Sequence, residues 1–331
     1  MNLVQFRTSA GERRVGVVNG SRLEVLVDWT RTYDLARAAI AARKSIKEIL
    51  ASATFRGFED FDQLLAGDAV FPPLDHADSA HCLVSGTGLT HLGSAQARDA
   101  MHAASAVPDG KQAVTDSMRL FRLGVQQGKP GEGETPLQPE WFYKGDGSFI
   151  VAPGQPLERP AFADDGGEEP EIVGLYVIGD DGTPSRVGFA LGNEFSDHVM
   201  ERKNYLYLSH SKLRQCSIGP ELWVGELPAA VEGTVKIIRD GRVFWSERFL
   251  SGEANMSFHF AGLEHHHFKY RQFRRPGDVH VHFFGTSTLS ITAGVQVQDG
   301  DVFEIRATPF SRPLRNAVVF TRDSEVVVHS L

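Results

Sequence analysis

Three acidic residues in two short segments are the first candidates for chemistry in this sequence. Glu169 and Glu171 lie in EEPEIVGLYVIGDDG, and Glu194 lies in VGFALGNEFSDHVME. Because strand side chains alternate between faces, Glu169 and Glu171 are expected to project from the same side of one strand. The sequence therefore predicts a pair of carboxylates on one strand face.

A turn after this strand is predicted to bring Glu194 back beside the pair. The GDDG sequence favours a hairpin bend near Gly182, which places Glu171 opposite Asn193 or Glu194. Neither strand offers a cation to neutralise three converging carboxylates, so we expect a hard divalent cation. Mg²⁺ fits best, with Mn²⁺ or Ca²⁺ as alternatives. The other interpretation is a solvated acidic edge strand.

Composition excludes several classes of protein. The net charge of −8 is spread without a long run of either sign, which argues against nucleic-acid binding. No stretch has the length of a membrane span, and MNLVQFRTSAGERRVG lacks the apolar core of a signal peptide, so we expect a cytoplasmic protein. Cys82 and Cys216 form no spaced framework and are expected to be reduced thiols.

The hydrophobic pattern divides the chain near residue 75. Residues 4–27 alternate as a strand meander, and residues 32–51 have apolar positions at helical spacing. FPPLDHADS breaks the pattern, so we predict a small α+β domain over 1–75 and a catalytic domain over 76–331. From Phe142 onward short strands and glycine turns dominate, which predicts a mainly β (α+β) fold.

Several segments in a defined order carry a family resemblance. They are the EPEI strand, GFALGNEFSDHVME, GDVHVHFFGTSTLS and DGDVFEIRATPFSRPLRNAVV. Over about residues 80–320 the chain resembles the catalytic domain of the fumarylacetoacetate hydrolase superfamily. The resemblance implies a mixed β-roll fold with Mg²⁺ bound by Glu169, Glu171 and Glu194, the last standing where the family usually has Asp.

Other segments indicate the branch of the superfamily. Hydrolase members carry a histidine in a GLNYRDH-like motif, but GLTHLGS has Ser94 at that place. The segments ERKNYLYLSHSKLRQCSIGP, QPEWFYKG and SAQAR resemble the 2-keto-3-deoxy-D-arabinonate dehydratase branch, and the whole chain resembles a bacterial sugar-catabolic group. This implies a lyase of pentose catabolism that converts a 2-keto-3-deoxypentonate to 2,5-dioxopentanoate (α-ketoglutarate semialdehyde) through a metal-bound enolate.

Such a dehydration needs a base at C3, a cation near the enolate and a proton donor at C4. By the resemblance, Lys212 is the cation beside the enolate, and Glu140 is base or acid unless it is a surface residue. His198 replaces a family arginine and could shuttle a proton.

The resemblance also implies a set of substrate-binding residues. Ser94 and Arg98 would bind substrate hydroxyls or its carboxylate, although Arg98 could instead make a structural ion pair. Lys144 would pair with Glu140 or the substrate carboxylate, or be solvated. Thr286 would donate to that carboxylate, or be a turn threonine.

The histidines offer a second metal hypothesis. His265 with His267, and His280 with His282, have same-face strand spacing, and four imidazoles could bind Zn²⁺. The alternative is buried or interface histidines, because EHHHF could lie on a helix, where only i,i+4 pairs face together.

The sequence leaves two other functions open. A Mg²⁺-dependent C–C hydrolase of a 2,4-diketo-3-deoxy sugar acid is the second enzyme hypothesis, which Ser94 argues against. A non-catalytic sugar-acid binding protein is the third. The resemblance further implies a homodimer or homotetramer, with a small-molecule sugar-acid substrate and without nucleic-acid or membrane partners.

Overall fold

Two β-sheets form the framework of the computed structural model, which describes residues 1–93, 115–322 and 326–331. The twelve-stranded sheet contains β1 (Asn2–Arg7), β2 (Arg13–Asn19), β3 (Arg22–Leu26), β4 (Phe55–Asp60), β5 (Cys82–Gly88), β6 (Glu140–Asp146), β7 (Ile150–Val151), β9 (Pro170–Ile178), β10 (Pro184–Asn193), β11 (Cys216–Ile218), β12 (Leu222–Trp223) and β15 (Val279–Phe283). The five-stranded sheet contains β8 (Leu157–Arg159), β13 (Val231–Arg239), β14 (Arg242–Ser251), β16 (Val302–Ala307) and β17 (Leu314–Phe320).

Short helices cover the sheets. Within the described ranges they are α1 (Thr32–Ala42), α2 (Ile46–Leu50), α3 (Phe61–Ala66), α4 (Asp116–Gln127), α5 (His198–Lys203), α6 (Leu208–Lys212) and α7 (Phe260–Phe268). None of the helices in these ranges is long and apolar enough to cross a membrane.

The antiparallel β9–β10 hairpin lies in the middle of the larger sheet. The strand order β4-β3-β2-β1-β12-β10-β9-β15-β5-β6 places five strands on one side of it and three on the other, and β15 runs antiparallel to β9 but parallel to β5. Every residue of β9 is buried. Side chains at the end of this hairpin are therefore held by a rigid and fully covered element.

Apolar side chains from both faces of the hairpin build the core. Ile172 and Leu191 pack on one face with Val235 and Ile305 of the smaller sheet. Val173 belongs instead to the cluster that includes α1 and α2 on the other face. Burial of each such side chain contributes about 1.5–3 kcal/mol, so the hairpin is stabilised from two directions.

The N-terminal part follows the predicted meander but not the predicted single helix. β1, β2 and β3 are consecutive antiparallel strands, as the alternation predicted. The helix predicted over 32–51 is two helices, because Arg43 adopts a left-handed φ of 52° and Ser45 with Glu48 forms a capping box that starts α2. β1 pairs with β12 of the larger part, and the domain boundary near residue 75 stays a prediction.

Both cysteines are buried and free. Burial raises the pKa of the Cys216 thiol to about 12 and raises that of Cys82 as well. Since the thiolate is the nucleophile, neither group is suited to nucleophilic catalysis.

Candidate active site and metal centre

Three acidic side chains lie together at the open end of the β9–β10 hairpin. Glu171 lies within β9, Glu169 directly precedes that strand, and Glu194 directly follows β10. The backbone N–H of Glu194 donates to the carbonyl of Glu169 at 3.0 Å, which continues the ladder of hydrogen bonds past the strand ends. One carboxylate oxygen from each residue lies within 4.8 Å of the others. The predicted convergence of the three carboxylates is therefore present.

The predicted register of the hairpin was wrong by one residue. Glu171 faces Gly192 rather than Asn193 or Glu194. The turn is centred on residue 181 instead of Gly182, since Pro184 pairs with Ile178. A bulge before Gly188 then inserts one extra residue in β10 and recovers part of the shift.

The trio contains carboxylate oxygens that lack hydrogen-bond donors. Glu171 and Glu194 are 0% and 1% exposed. Glu171 Oε2 accepts from the backbone N–H of Gly285 at 2.6 Å. Among the described residues no group donates to Glu171 Oε1 or Glu194 Oε1. Both oxygens are buried; Glu171 Oε1 has no ion pair among the described residues, whereas Glu194 Oε1 lies 3.3 Å from Lys144 Nζ. Buried carboxylate oxygens without hydrogen-bond donors are the ligand type that a hard divalent cation requires, so the residues fit such an ion.

The pKa shifts of the three glutamates also favour a bound cation. Burial first, and then the charges of Glu194 and Glu169, raise the pKa of Glu171 well above its ordinary value. Burial raises the pKa of Glu194 to about 7, against the opposing effect of Lys212. Burial also acts on Glu169, but Lys212 and His198 outweigh it and lower the pKa of Glu169. The negative charge of Glu171 is therefore the one that its surroundings disfavour, and a dication would relieve this.

Lys212 is the cation that lies between Glu169 and Glu194. Its Nζ donates to Glu169 Oε1, to Glu194 Oε2 at 3.2 Å and to Ser196 Oγ at 3.3 Å. It also lies 4.9 Å from the ring centroid of Phe142. Burial would lower the pKa of Lys212, but Glu169 and Glu194 raise it above its ordinary value. Lys212 is therefore a permanent positive charge between two of the carboxylates.

Lys144 lies on the far side of Glu194. It is 0% exposed, and its Nζ donates to the carbonyls of Phe195 at 2.6 Å and Lys212 at 3.2 Å. Its Nζ is 3.3 Å from Glu194 Oε1. Lys144 thus pairs with Glu194 rather than with the predicted partner Glu140, and these contacts favour support of a carboxylate over direct contact with substrate.

His198 contacts the trio from helix α5. Its Nε2 lies 3.0 Å from Glu169 Oε1, and its Nδ1 lies 3.7 Å from Asp165 Oδ2. Burial would lower the pKa of this imidazole, but the contacts with Asp165 and Glu169 outweigh it and raise the pKa to about 10. A histidine held between two carboxylates in this way orients Glu169 more readily than it exchanges protons.

The remaining described candidates line the same cavity. Glu140 is 6% exposed, and its Oε1 accepts from the hydroxyl of Tyr205 at 2.9 Å. Thr286 lies at the cavity wall, and its Oγ1 accepts from the N–H of Thr288 at 3.3 Å. The full lining is Thr87, Gly88, Leu89, Glu140, Phe142, Glu169, Glu194, His198, Glu201, Lys212, Gly285, Thr286 and Leu289.

Two predicted substrate contacts cannot be placed in this cavity. Ser94 and Arg98 lie outside the described residues. Their assignment stays a prediction.

Sequence reasoning missed several residues at the site. Asp165, Glu201 and Tyr205 carried no spacing signal, because loops and short helices bring them to the site. Glu201 lines the cavity, Asp165 contacts His198, and Tyr205 contacts Glu140. Glu168 did carry a signal. It directly precedes Glu169, so strand alternation predicts that it faces away from the trio.

Glu168 anchors the segment that carries Thr286. It is 0% exposed, and the N–H and Oγ of Ser290 donate to its two carboxylate oxygens at 2.8 Å each. Burial raises the pKa of Glu168 to about 7 despite these donors. The wall of the cavity that contains Thr286 and Leu289 is thus tied to the residue next to Glu169.

Glu168→Ala should destabilise the protein by about 1–3 kcal/mol, because it leaves the buried N–H of Ser290 without an acceptor. Turnover should fall as Thr286 loses its fixed position. Glu168→Gln keeps one acceptor and one donor for Ser290, so its stability and its turnover should stay near those of wild type. Denaturant unfolding and steady-state kinetics check this, and a glutamine variant as impaired as the alanine variant would contradict the anchoring role.

The histidine-rich segments form a separate buried cluster. His267 of α7 lies against His280 of β15, with 2.9 Å between Nε2 and Nδ1, while His282 Nδ1 lies 2.9 Å from Ser85 Oγ. His265 is exposed. Within the described ranges, the glutamate trio alone brings three ligand atoms within 4.8 Å of one another. The structure therefore does not support a four-histidine Zn²⁺ site, and the helical position of EHHHF is the reason.

The cluster should make stability depend on pH. Burial lowers the pKa of His267 to about 4 and that of His280 to about 3. The unfolded chain binds protons at these rings below about pH 6.5, whereas the folded protein does not until near pH 4, so the free energy of unfolding should fall over this range.

His267→Gln should reduce that acid-induced loss of stability by about 3 kcal/mol, because each pKa unit between the unfolded and folded states corresponds to about 1.4 kcal/mol. His265→Gln, at the exposed position, is the control and should leave the pH dependence unchanged. Urea titrations from pH 7.5 to 4 measure the difference. Equal pH dependence in wild type and His267→Gln would contradict neutral burial of this imidazole.

The chain is similar in sequence to a protein of known description. No protein-family model matches the chain. A protein of Haloferax volcanii described as a probable 2-keto-3-deoxyxylonate dehydratase is 29% identical over 250 residues, which are 72% of this chain and 74% of that protein.

Solved structures resemble the chain over almost its whole length. The apo form of 2-keto-3-deoxy-D-arabinonate dehydratase has a TM-score of 0.70 at 17% identity, covering 98% of this chain and 100% of that one. The same dehydratase complexed with magnesium and 2,5-dioxopentanoate has a TM-score of 0.69 at 19% identity, with the same coverage. The fumarylacetoacetate hydrolase of Exiguobacterium antarcticum has a TM-score of 0.59 at 15% identity, covering 97% and 100%. The chain therefore shares the fold of 2-keto-3-deoxy-D-arabinonate dehydratase and of this fumarylacetoacetate hydrolase, as the order of its motifs predicted.

Proposed function

We propose that this protein is a Mg²⁺-dependent dehydratase that converts a 2-keto-3-deoxypentonate to 2,5-dioxopentanoate. Two similar proteins are described as dehydratases of such acids, and one of them was solved with magnesium and 2,5-dioxopentanoate. The segments around Glu140 and Lys212 resemble the same branch of the superfamily.

One observation carries the proposal. Glu169, Glu171 and Glu194 form a buried trio in which Glu171 Oε1 has no hydrogen-bond donor among the described residues. Two of the three, Glu169 and Glu194, line the cavity that also contains Glu140 and Lys212. Mg²⁺ held by the trio would act as a Lewis acid toward the carboxylate and 2-keto oxygens of the substrate, which makes the C3 hydrogens more acidic. Carboxylate, ammonium and cation site thus lie together where an elimination beside a ketone needs them.

The reaction balances without a further reactant. Elimination breaks one C3–H bond and the C4–O bond and forms a C3–C4 double bond, while the proton and the hydroxide leave as water. A proton then moves from C5 to C3. The resulting enol tautomerises to the C5 aldehyde, which gives the dioxo acid with one water fewer than the substrate.

Each residue has a proposed part in these steps. Glu140 takes the proton from C3 and returns a proton to the leaving hydroxyl. The fixed positive charge of Lys212 stabilises the negative charge that develops on the 2-keto oxygen. His198 holds Glu169, and Lys144 holds Glu194.

The substrate-binding assignments remain part of the proposal. Thr286 would donate to the substrate carboxylate from the wall that Glu168 anchors. Ser94 and Arg98 are proposed to bind the substrate hydroxyls or its carboxylate.

A coupled assay tests the proposal. Chelator-treated protein is incubated with a 2-keto-3-deoxypentonate and Mg²⁺, and the semialdehyde is followed through a dehydrogenase that oxidises it. We expect product only when Mg²⁺ is added, and none from Glu140→Gln. Pyruvate with a two-carbon aldehyde would instead indicate aldol cleavage, and consumption of a 2,4-diketo acid alone would indicate a C–C hydrolase. Either result would contradict the dehydratase.

We further propose a cytoplasmic homodimer or homotetramer with a sugar acid as its ligand. The small domain over 1–75 and the catalytic domain over 76–331 are part of this proposal. Light scattering after size-exclusion chromatography measures the assembly, and a monomer at micromolar concentration would contradict it.

A further inference from the structure

The carboxylate of Glu140 is fixed by residues from two other elements. The first is Tyr205, in a 3₁₀-helix (Tyr205–Tyr207) between α5 and α6, whose hydroxyl donates to Glu140 Oε1 at 2.9 Å. Tyr205 is 39% exposed, so its ring reaches the site from the solvent side, whereas Glu140 is 6% exposed.

The second residue is Gly88, which lies opposite Glu140 in the pairing of β5 with β6. A Cβ atom at position 88 would overlap Glu140 Oε2 and would lie 2.9 Å from Cδ. The absence of a side chain there leaves room for Oε2, and both residues line the cavity. One oxygen of Glu140 is therefore bound by a phenol, and the other lies over a glycine at the cavity wall.

This division of the two oxygens matters for proton transfer. A carboxylate that must accept a proton from one carbon and pass a proton to a neighbouring hydroxyl needs one oxygen aimed at the substrate and little freedom to rotate. A neutral donor on the other oxygen fixes the rotation without adding charge. Tyr205 supplies such a donor, and the sequence resemblance assigned this residue no role.

We infer that Tyr205 is a positioning residue for Glu140: its hydroxyl holds Oε1 so that Oε2 faces C3 and the C4 hydroxyl of the substrate. The inference rests on the proposed dehydration. Tyr205 acts through Glu140 and does not itself exchange a proton with the substrate. Loss of its hydroxyl should therefore slow proton abstraction while substrate binding stays the same.

Tyr205→Phe tests this with Tyr207→Phe as the matched control. Tyr207 lies two residues on in the same 3₁₀-helix, is 47% exposed, and also carries a phenol. The Tyr205 variant should lose about 10-fold in kcat, within the range typical of lost orienting contacts. KM should stay within about twofold of wild type, since the orienting contact is made to Glu140 and not to the substrate. Tyr207→Phe should match wild type in both constants.

A substrate deuterated at C3 supplies a readout that a merely structural role would not move. The primary isotope effect on kcat should be larger for Tyr205→Phe than for wild type, because removal of the C3 proton becomes more nearly rate-limiting. Equal melting temperatures of the two variants would show that the fold is intact.

The outcomes are distinguishable. An active Tyr205→Phe variant with the kcat and isotope effect of wild type, or with a change in KM alone, would overturn the inference and leave the dehydratase standing. Wild-type protein that converts no 2-keto-3-deoxypentonate would overturn the proposed function and this inference with it.

Discussion

Glu171→Gln is expected to reduce Mg²⁺-dependent turnover by at least about 100-fold, the upper range for lost orienting partners of a metal site. The same change should make the metal-free protein more stable. Glu171 is fully buried, its pKa is raised by burial and by two neighbouring glutamates, and it has no ion pair among the described residues. Glutamine keeps the size and an acceptor for the N–H of Gly285, but removes the charge that a cation would bind.

Thermal unfolding with and without Mg²⁺ measures both the gain in stability of the metal-free protein and the loss of Mg²⁺ binding. We expect metal-free Glu171→Gln to melt a few degrees above metal-free wild type, since about 1 kcal/mol corresponds to about 2–4 °C in a protein of roughly this size. Added Mg²⁺ should stabilise wild type only. Glu221→Gln, at a fully buried glutamate that accepts from the N–H groups of Ser311 and Arg312, is the control and should keep its response to Mg²⁺. A Glu171 variant that Mg²⁺ still stabilises would remove this residue from the metal site.

The second large effect is expected from Lys212→Met. Turnover should fall by about 10²–10³-fold, as for loss of one group that stabilises developing negative charge. The metal-free protein should also lose about 3–5 kcal/mol, because removal of one partner leaves buried carboxylates uncompensated. Mg²⁺ should restore much of that stability, since it supplies positive charge to Glu169 and Glu194.

Lys203→Met is the matched control for this experiment. Lys203 is 57% exposed and pairs with Asp164 at 2.8 Å on the outer side of helix α5. An exposed ion pair contributes at most about 1 kcal/mol, so turnover and stability should change little. The account of Lys212 would be wrong if Lys212→Met retained wild-type turnover, or if Mg²⁺ gave it no more stability than it gives wild type.

Much of the framework follows from local rules in the sequence. The period-two alternation of β1 to β3 and the GDDG turn between β9 and β10 are visible in the printed chain. The break between α1 and α2 was also present in the sequence, as Ser45 followed three residues later by Glu48, but the continuous apolar spacing across it suggested one helix. A capping box outweighs such spacing, because it satisfies donors that a continuing helix would satisfy through its own backbone.

The part of the site on the β9–β10 hairpin was predictable from the sequence, whereas the part that distant segments contribute was not. Glu169, Glu171 and Glu194 converge because strand alternation and a short turn are local properties. The two lysines that face these carboxylates come from other parts of the chain, Lys144 from β6 and Lys212 from α6. No spacing rule relates these two residues to the hairpin, and only the resemblance to a family indicated them.

The central claim is that the buried glutamate trio binds a divalent cation that in turn anchors a 2-keto acid. A crystal structure with Mg²⁺ and pyruvate tests it most directly. The account predicts one ion about 2.0–2.2 Å from an oxygen of each of Glu169, Glu171 and Glu194, with the carboxylate and keto oxygens of pyruvate as further ligands. An ion bound elsewhere, or a trio that keeps only its contacts with Lys212 while pyruvate binds without metal, would contradict it.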